Sequence, residues 1–347
     1  MKSVLMVTPS YWPAVGGVET HVKHVIAKLS SRGYRFTVLT SNHTGKLPED
    51  EIADNVRILR MPRYKKWQVY RTFRWMLEKR ELLHSHDIIH VHGVTPFVLW
   101  YLPLRLIYYS KPVFCTYHGF ERDPVPQYFK LLRKFTNRLV SKSICVGDFI
   151  EKVYRITCDD VVLGGVETTK DRQENAEGAI FVGRLEKDTG IAEHIRALEI
   201  LKTRYGFSLE TRVCGQGRLR SKIERMSREK GLDVSFLGTV ENAQQEMCKS
   251  SLFLAGGYLS ILEAMSIGLP VIGVAQTPLK FSYLNAIRAK GGSLSIQTKP
   301  EGVAEEIKNI LTNSEVYDKI AKKGREFAAR MSWDRLAFVY EKLWSLS

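Results

Sequence analysis

One carboxylate in the second half of the chain follows a glycine pair closely enough to share a ligand with it. A short apolar run, 252–255, precedes Gly256 and Gly257, and Glu263 lies in the helix predicted to come next. A glycine turn that leads into a helix presents unpaired backbone N–H groups to an anion. A carboxylate about two turns inside that helix is close enough to touch the same ligand. The pattern predicts either an anion site with Glu263 as a binding group or an ordinary turn beside a solvated glutamate.

Two more glycine loops carry groups that suit a phosphate ligand. Arg184 follows Gly183 directly after a predicted strand, and a guanidinium group matches the geometry of a diphosphate. Gly215 opens a Gly-Gln-Gly turn after the next strand, where the backbone can approach a base or a ribose closely. Each signal is weak alone. Together with Gly256 they predict three glycine loops at one edge of one sheet.

The elements that must position these loops alternate between strand and helix along the whole chain. This rhythm is typical of parallel sheets that are covered by helices. Apolar runs predict strands at residues 4–7, 36–40, 55–61, 87–92, 112–116, 143–146, 179–182, 208–214, 234–237, 252–255 and 271–274, and periodic patterns predict helices at 191–205, 218–230 and 243–249. The polar stretch 167–178 predicts a linker, which divides the chain into two α/β domains.

The first half adds a glycine pair and histidines near strand ends. Gly16 and Gly17 follow the first strand, but the G-x-G-x-x-G pattern is absent, so a tight turn and a phosphate contact both stay open. His118 follows a predicted strand, at the end of a parallel sheet where α/β folds bind ligands. His90 and His92 alternate with apolar residues, which favours a structural role. No third ligand at metal spacing accompanies them, so a zinc site is not predicted.

The composition describes a globular protein with a strong positive charge. The chain has 347 residues, of which 44% are hydrophobic and 26% charged, and these values exclude a disordered chain. The net charge of +15 predicts attraction to an anionic partner: a nucleic acid, an acidic membrane surface or a phosphorylated ligand. The apolar segment 95–109 is too short and too interrupted to span a bilayer. Five scattered cysteines predict reduced core thiols in a cytoplasmic protein.

The basic surplus lies mainly in the first half, which contains a basic segment rich in aromatic residues at 63–83. The cations and aromatics that define it fit an anionic membrane interface; they are Lys65, Lys66, Trp67, Arg71 and Arg74. The segment also fits one buried helix face with a solvated basic rim, and both interpretations stay open. Single-stranded nucleic acid binds aromatics among cations too. No recognisable nucleic-acid motif accompanies them, so a nucleic-acid partner is not predicted.

A set of short motifs occurs in one order along nearly the whole chain. The motifs are residues 13–19 (PAVGGVE), 87–92 (DIIHVH), 116–119 (TYHG), 182–185 (VGRL), 214–217 (CGQG), 236–238 (FLG) and 262–272 (LEAMSIGLPVI). In this order they resemble the retaining glycosyltransferases of family 4, which have the GT-B fold. Ser332 and Trp333, with the closing segment to Trp344, resemble the ending of the same family.

The resemblance implies an α/β fold of the GT-B type, with two Rossmann-like domains whose parallel sheets face a central cleft. The expected domains are 1–168 on the acceptor side, 169–330 for the nucleotide sugar, and 331–347 as a helix that crosses back to the first domain. The implied activity is retaining, metal-independent transfer of a sugar from a UDP- or GDP-linked donor to a lipid-linked or polysaccharide acceptor. No cofactor is implied. The expected location is the cytoplasm, with peripheral binding to the inner membrane face as an open alternative.

The resemblance also assigns roles to residues of this chain. Glu263 is expected to bind the donor ribose and Arg184 the diphosphate, while His118 is expected near the donor sugar. His118 and Arg184 are thus the expected catalytic residues. The expected donor-binding set adds the glycines at the loops, namely Gly16, Gly17, Gly215, Gly256 and Gly257. With no metal expected, cationic side chains and helix dipoles would stabilise the leaving diphosphate.

Two positions depart from the family pattern at the centre of this site. The family carries a glutamate eight residues before Glu263, where this chain has Ala255. It also carries a lysine shortly after the arginine, where this chain has Thr189, with Lys187 nearby but out of register. Losing one cation beside a desolvated diphosphate costs on the order of 2–4 kcal/mol of transition-state stabilisation. An active enzyme and a weakened protein that binds nucleotide sugar or glycan without efficient transfer are therefore both open.

Overall fold

The computed structural model describes residues 2–62, 68–105, 111–119, 123–167 and 172–345. The chain divides into two units, each an α/β domain built on one sheet. Unit 1 comprises Met1–Gly164 together with Trp333–Ser347, and unit 2 comprises Gly165–Ser332. The last helix of the chain therefore belongs to the same unit as the first strand.

The sheet of unit 1 has eight strands. They are β1 Ser3–Val7, β2 Arg35–Ser41, β3 Asp50–Ala53, β4 Val56–Met61, β5 Ile88–His92, β6 Val113–His118, β7 Lys142–Val146 and β8 Asp160–Val162. Their order in space is β3-β4-β2-β1-β5-β6-β7-β8, and β3 alone runs antiparallel to its neighbour within this sheet. The central strand β1 is buried along Val4, Leu5, Met6 and Val7. Burial on both faces explains why its sequence is a continuous apolar run.

Helices cover the sheet of unit 1. They are α1 Gly17–Ser30, α2 Gln68–Glu78, α3 Glu81–Ser85, α4 Val94–Pro96, α5 Leu102–Arg105, α6 Gln127–Leu139, α7 Phe149–Tyr154 and α15 Trp333–Ser345, and a π-helical turn Phe97–Tyr101 joins α4 to α5. Helix α1 buries Val22, Val25, Ile26 and Leu29, whose spacing matches one face of a helix. Helix α15 packs against α1, so the chain end closes the unit in which the chain begins.

The sheet of unit 2 has six strands, and all of its neighbouring pairs are parallel. They are β9 Ala179–Val182, β10 Thr211–Cys214, β11 Val234–Gly238, β12 Leu252–Ala255, β13 Val271–Val274 and β14 Leu294–Gln297, in the order β11-β10-β9-β12-β13-β14. The chain builds outward from β9 to β11 and then crosses to β12 on the other side of β9. The direction of winding therefore reverses between β9 and β12, which is where doubly wound sheets bind ligands.

The helices of unit 2 alternate with these strands. They are α8 Ile191–Tyr205, α9 Arg220–Glu229, α10 Ala243–Cys248, α11 Tyr258–Ile267, α12 Pro278–Ala289, α13 Pro300–Thr312 and α14 Ser314–Ala328, with a 3-10 turn at Lys187–Thr189. Phe181, Leu254 and Ile272 from three neighbouring strands join Ile191 and Ile195 of α8 in one buried core. Burying each such side chain contributes about 1.5–3 kcal/mol.

Several elements differ from the sequence predictions. Strands β3, β8 and β14 were not predicted, because they are short and carry few apolar residues. The helix expected within the basic segment ends early, since α2 ends at Glu78 and a separate helix, α3, begins at Glu81. Lys65, Lys66 and Trp67 lie outside the described residues. No helix in the described part of the chain has the length and apolarity needed to cross a membrane.

The expectation of reduced core thiols is wrong for two of the five cysteines. Cys145 lies in β7 beside the loop that holds Cys158, and the two form a disulfide with their Cα atoms 5.9 Å apart. Such a pair is close because β7 and β8 are neighbouring parallel strands whose connection returns Cys158 to the sheet. Cys115, Cys214 and Cys248 form no disulfide among the described residues.

Candidate functional site

The three glycine loops of unit 2 start at one level of the sheet. Val182 pairs in register with both Cys214 on β10 and Ala255 on β12. Because these strands are parallel and end together, the residues that follow them, Gly183, Gly215 and Gly256, lie at the same edge. The sequence prediction of three loops at one edge is confirmed.

Glycine is required in these loops because they approach one another closely. Gly215 has φ +140°, and a Cβ there would collide with the carbonyl oxygen of Gly183. A Cβ at Gly256 would lie 2.6 Å from the ring of Phe181. A Cβ at Gly257 would make only an ordinary van der Waals contact, with Ser260 Oγ at 3.5 Å. The loops after β10 and β12 therefore pack tightly at Gly215 and Gly256, and the turn is less crowded at Gly257.

Glu263 belongs to α11, the helix that begins directly after Gly257. Gly257 is the N-cap residue of α11 and no side chain caps the helix, so the first N–H groups are available to an anion. The Glu263 carboxylate is partly buried, and the described residues offer it no hydrogen-bond donor or cation. Burial raises its pKa above the usual value. A desolvated carboxylate without a partner is costly unless a ligand supplies donors.

Arg184 is held at the same edge by an ion pair. Its guanidinium group donates to Asp188 Oδ2 at 2.8 Å, while its side chain is 70% exposed. An exposed pair of this kind contributes little to stability, so an anionic ligand can compete for the arginine. Thr189, which stands where the family has a lysine, is buried, and its hydroxyl donates to the Glu186 carbonyl at 2.8 Å. The threonine side chain is therefore engaged within its own loop.

Ala255 is buried at the end of β12, where the family has a glutamate. Its carbonyl oxygen lies 3.4 Å from Nε2 of His194, a fully buried residue of α8. Burial lowers the pKa of His194 to about 4, with a smaller opposing contribution from this hydrogen bond. A neutral imidazole and a methyl group therefore occupy the neighbourhood in which a carboxylate was expected.

Lys280 was not predicted as a site residue, yet it lies beside the same loops. It stands in the first turn of α12, where Thr277 caps the helix by accepting from the Lys280 backbone N–H. Its Nζ donates to the carbonyl oxygen of Gly256 at 3.4 Å and lies 4.7 Å from the centre of the Tyr283 ring. Burial lowers its pKa to about 8, an effect that Asp188 opposes. No motif marks this lysine, because its place depends on the crossover from β13.

His118 belongs to a cluster of aromatic and imidazole rings in unit 1. Its Nε2 lies 3.0 Å from Nδ1 of His92, and its ring meets that of His21 edge-on at 4.8 Å. His21 pairs with the Tyr340 hydroxyl at 2.8 Å, and His90 pairs with Thr116 and accepts from Trp344. The structural role expected of His90 and His92 agrees with their complete burial.

The histidines of this cluster are neutral. Burial lowers the pKa of His118 and of His90 to about 3. Burial, with repulsion from neighbouring imidazoles, holds the pKa of His21 and His92 well below the usual value. The side chain of His118 keeps part of its surface exposed to solvent, and the residue lies at the end of β6. It can therefore offer a ligand a hydrogen bond but not a positive charge at neutral pH.

Gly16 and Gly17 begin the first helix of unit 1. Gly16 is the N-cap residue of α1 with an extended backbone, and no side chain caps the helix. A Cβ at Gly16 would collide with Oε2 of Glu19, so the acidic side chain folds back over the turn. Gly17 has open space around it. Within the described ranges, no group of three or more His, Cys, Asp or Glu residues is arranged to hold a metal ion.

Comparison with known proteins gives two family matches in succession. The model described as Glycosyltransferase Family 4 matches residues 15–160, and the model described as Glycosyl transferases group 1 matches residues 168–327. The chain belongs to the group 1 glycosyltransferases. It is therefore a transferase, and the glycosyltransferase family predicted from its motifs is confirmed.

Individual proteins similar to this glycosyltransferase match nearly its whole length. An uncharacterized glycosyltransferase of Methanocaldococcus jannaschii is 23% identical over an alignment of 360 positions, which covers 96% of each chain. The sucrose-phosphate synthase of Thermosynechococcus elongatus has a TM-score of 0.79 at 16% identity, and Anabaena HepE in complex with UDP and glucose has 0.79 at 14%, both covering 100% of each chain. These structural similarities establish the GT-B fold with its two parallel-sheet α/β domains.

The described part of the basic helix in this glycosyltransferase has a buried face and an exposed face. Trp75 and Met76 of α2 are buried in the core of unit 1, whereas Arg71 and Arg74 are exposed. Val69 on the same helix is 61% exposed. A groove of about 630 Å³ opens beside it. Its lining is almost entirely apolar and comprises Gln68, Val69, Tyr70, Phe73, Val98, Leu99 and Pro103. One helix face therefore builds the core and another leaves apolar and basic groups at the surface.

Proposed function

We propose that this group 1 glycosyltransferase transfers a sugar from a UDP- or GDP-linked donor to a lipid-linked or polysaccharide acceptor, with retention and without a metal. The observation that carries the proposal is the Glu263 carboxylate, which is partly buried, has no partner among the described residues, and belongs to a helix whose start is uncapped. A ribose supplies two hydroxyl donors, which suit a carboxylate that accepts only. The presence of UDP with the similar Anabaena protein supports a nucleoside diphosphate as the leaving group.

The proposed chemistry is mainly electrostatic. As the bond between the sugar and the diphosphate breaks, negative charge develops on the leaving group. Arg184 and the N–H groups at the start of α11 suit that charge. The acceptor hydroxyl would attack the oxocarbenium-like sugar on the face that the diphosphate leaves. His118, as a neutral group, would position the sugar by a hydrogen bond, with Gly16 and Gly17 near the phosphates. Gly215 would face the base or ribose.

The groove beside α2 supports a lipid-linked acceptor. Its apolar lining suits a hydrocarbon chain, and Arg71 and Arg74 on the same helix suit an anionic headgroup. Lys65 and Lys66 precede this helix in the sequence and add to its positive charge. Attachment to an inner membrane face in the cytoplasm would follow from the same surface.

One observation favours a second candidate, a protein that binds nucleotide sugar or glycan without efficient transfer. Ala255 and Thr189 are both buried, so neither position can present the carboxylate or the cation of the family pattern. The nucleotide end of the site keeps Glu263 and Arg184, whereas the sugar end lacks a charged group at Ala255. Binding and turnover must therefore be measured separately.

The test of the donor site is calorimetry with UDP and with GDP. Wild type should bind one of them, and Glu263→Ala should weaken that binding about tenfold or more, because a ribose hydroxyl loses a charged acceptor. The matched control is Glu229→Ala, an exposed glutamate of α9 in the same unit, which should bind as wild type does. Unchanged affinity in Glu263→Ala would remove the ribose assignment.

Turnover then separates the two candidates. A panel of UDP- and GDP-linked sugars, screened by thermal shift and followed by measurement of donor hydrolysis, should identify a donor that wild type consumes. His118→Ala should keep nucleotide affinity and lose most turnover. Tight binding of a nucleotide sugar with no hydrolysis or transfer to any acceptor would favour the binding protein.

The test of the acceptor surface is co-sedimentation with vesicles that contain phosphatidylglycerol. Wild type should bind them in a salt-sensitive way. Combined Arg71→Glu and Arg74→Glu should abolish that binding, and Val69→Asp should weaken it because a charge enters the groove. Ile52→Asp, an exposed apolar site elsewhere in unit 1, is the control. Equal sedimentation of all variants would remove α2 from the membrane hypothesis.

A further inference from the structure

We propose that Lys280 supplies the cation that Thr189 lacks, and that its ammonium group binds the diphosphate of the donor. The inference rests on the proposed donor site. It names a residue of that site that would bind the negatively charged leaving group of the donor. The family pattern expects that cation in the loop after Arg184. In this chain, a different element carries a cation to the same edge.

The loop that contains Thr189 packs directly on the strand that leads to Lys280. A Cβ on Gly190 would lie 2.5 Å from Cγ1 of Val274, the last residue of β13. Residues 275–277 then connect β13 to α12, and Lys280 stands in the first turn of that helix. The first turn of α12 therefore lies near the loop position of Thr189, which is where the family pattern has a lysine.

The surroundings of Lys280 leave its charge without a counter-ion. The side chain is buried, and a carbonyl at 3.4 Å is its only hydrogen-bond acceptor among the described residues. That distance is longer than a usual N–H···O bond, and an ammonium group has three donors. No carboxylate of the described residues lies within 4.0 Å of it. A buried cation in this condition is costly unless an anion joins it.

The accepting carbonyl connects Lys280 to the rest of the donor site. It belongs to Gly256, which directly precedes Gly257, the N-cap residue of α11. Lys280 therefore lies beside the turn whose N–H groups would hold a phosphate. Arg184, in the loop after β9, is near enough to lower the pKa of Lys280. One buried cation therefore lies at the turn before α11, and a second cation is within electrostatic range of it, which suits a dianionic or trianionic group.

The charged and titratable groups near Lys280 come from two other elements and from its own helix. Arg184 and Asp188 face it from the loop after β9, His194 from α8, and Tyr283 from its own helix. His194 is neutral near pH 7 because burial lowers its pKa to about 4. The pKa of Lys280 is lowered to about 8, so the ammonium form dominates at pH 7 and declines above pH 8.

Lys187 is the competing candidate for the missing cation. It lies in the same loop as Thr189 but is exposed in the 3-10 turn, and its charge is screened by water. A desolvated cation acts more strongly on a ligand than an exposed one. This contrast provides a matched pair of variants, Lys280→Met and Lys187→Met.

The decisive experiment is calorimetry at pH 7 with UDP, UMP, GDP and GMP. Lys280→Met should weaken binding of the preferred nucleoside diphosphate about tenfold or more and the matching monophosphate by a clearly smaller factor, because the lost contact is charge-assisted. Lys187→Met should change both affinities less than about twofold, as expected for an exposed charge. Lys280→Arg should restore most of the affinity for the diphosphate.

A pH series gives a second readout that a folding defect would not imitate. Wild-type affinity for the diphosphate should fall above pH 8 as Lys280 loses its proton, whereas Lys280→Arg should lack this decline because arginine stays charged. A Lys280→Met protein that binds the diphosphate as wild type does would overturn the inference and leave the donor site intact. Failure of wild type to bind any of the four nucleotides would instead overturn the proposed function.

Discussion

The carboxyl edges of the two sheets are built alike and filled differently. In unit 1, rings of His21, His92 and His118 contact one another near the ends of β5 and β6, and they are hydrogen-bonded or stacked. In unit 2, the corresponding edge holds glycine loops, and the carboxylate of Glu263 and the ammonium group of Lys280 lack charged partners among the described residues. Each of the three imidazoles thus has a hydrogen-bond partner at one edge, although Nε2 of His92 has none among the described residues, whereas two ionisable groups at the other edge have no charged partner.

The last helix of the chain explains the difference. Helix α15 brings Tyr340 and Trp344 onto the histidines, where the tyrosine hydroxyl contacts His21 and the indole N–H donates to His90. Trp333 of the same helix stacks on His24 at 4.5 Å. A buried polar network is stabilised by the hydrogen bonds that its members make with one another. The same fold can therefore use a strand edge for stability or for binding, depending on what covers it.

The largest expected effect is the acid sensitivity of unit 1. His21, His90, His92 and His118 all have pKa values lowered by burial, so the unfolded chain binds protons that the folded unit does not. Stability should be full above pH 6.5 and fall as the pH decreases from 6.5 toward 3. Each histidine contributes up to about 1.4 kcal/mol per pH unit, which gives about 5 kcal/mol per unit for four.

Tryptophan fluorescence reports this loss selectively, because all 6 tryptophans of the chain lie in unit 1. Urea unfolding followed by fluorescence at pH 7.5, 6.5 and 5.5 should show a steep drop of the midpoint below pH 6.5. His92→Phe should make the dependence shallower, whereas His84→Gln, at an exposed site, should leave it unchanged. An unfolding midpoint that is the same at pH 7.5 and at pH 5.5 would contradict the conclusion that these histidines are neutral in the folded protein.

Truncating Trp344, which packs on the histidines of unit 1, should have the next largest effect on stability. Trp344→Ala leaves a cavity and deprives His90 of its donor, and truncation of a buried tryptophan costs about 3–5 kcal/mol of unfolding free energy. Phe338→Ala, on the same helix but 60% exposed, should change stability by less than about 0.5 kcal/mol. Nucleotide affinity measured by calorimetry should be unchanged in both folded variants. A loss of affinity in Trp344→Ala at full stability would show that α15 serves the donor site.

Continuous apolar runs made the central strands predictable. Strands β12 and β13 have the bounds expected from the sequence, because strands buried on both faces need apolar residues at every position. Strand β3, with Asp50 and Glu51, has no such run. It pairs antiparallel at the sheet edge, where one neighbour and a half-exposed face suffice. Its existence depends on β4, which local periodicity does not encode.

The site was predictable where its chemistry is local. A glycine turn followed by a helix with Glu263 can be recognised within a short window, and the structure brings its parts together as expected. Lys280 could not be recognised, because it reaches the loop after β12 through the β13 crossover. The pairing of His21 with Tyr340 joins opposite ends of the chain. Contacts of this separation follow from topology and not from a sequence pattern.

The smallest expected effect is a gain in stability, and it concerns Glu263 of unit 2. Burial raises the pKa of Glu263, so its contribution to stability is present at low pH and is lost as the pH rises through the folded pKa. Glu263→Gln keeps the shape of the side chain without the charge. It should stabilise the protein at pH 7 by on the order of 1 kcal/mol, as expected when a group kept for function is neutralised.

Differential scanning calorimetry at pH 7 measures this gain, because unit 2 contains no tryptophan to report it. The control is Glu229→Gln, at an exposed position of α9, which should melt as wild type does. Nucleotide affinity should fall in Glu263→Gln while its melting temperature rises. A lower melting temperature would mean that the carboxylate has a stabilising partner in the protein, and the two edges would then not differ in the way their polar groups are paired.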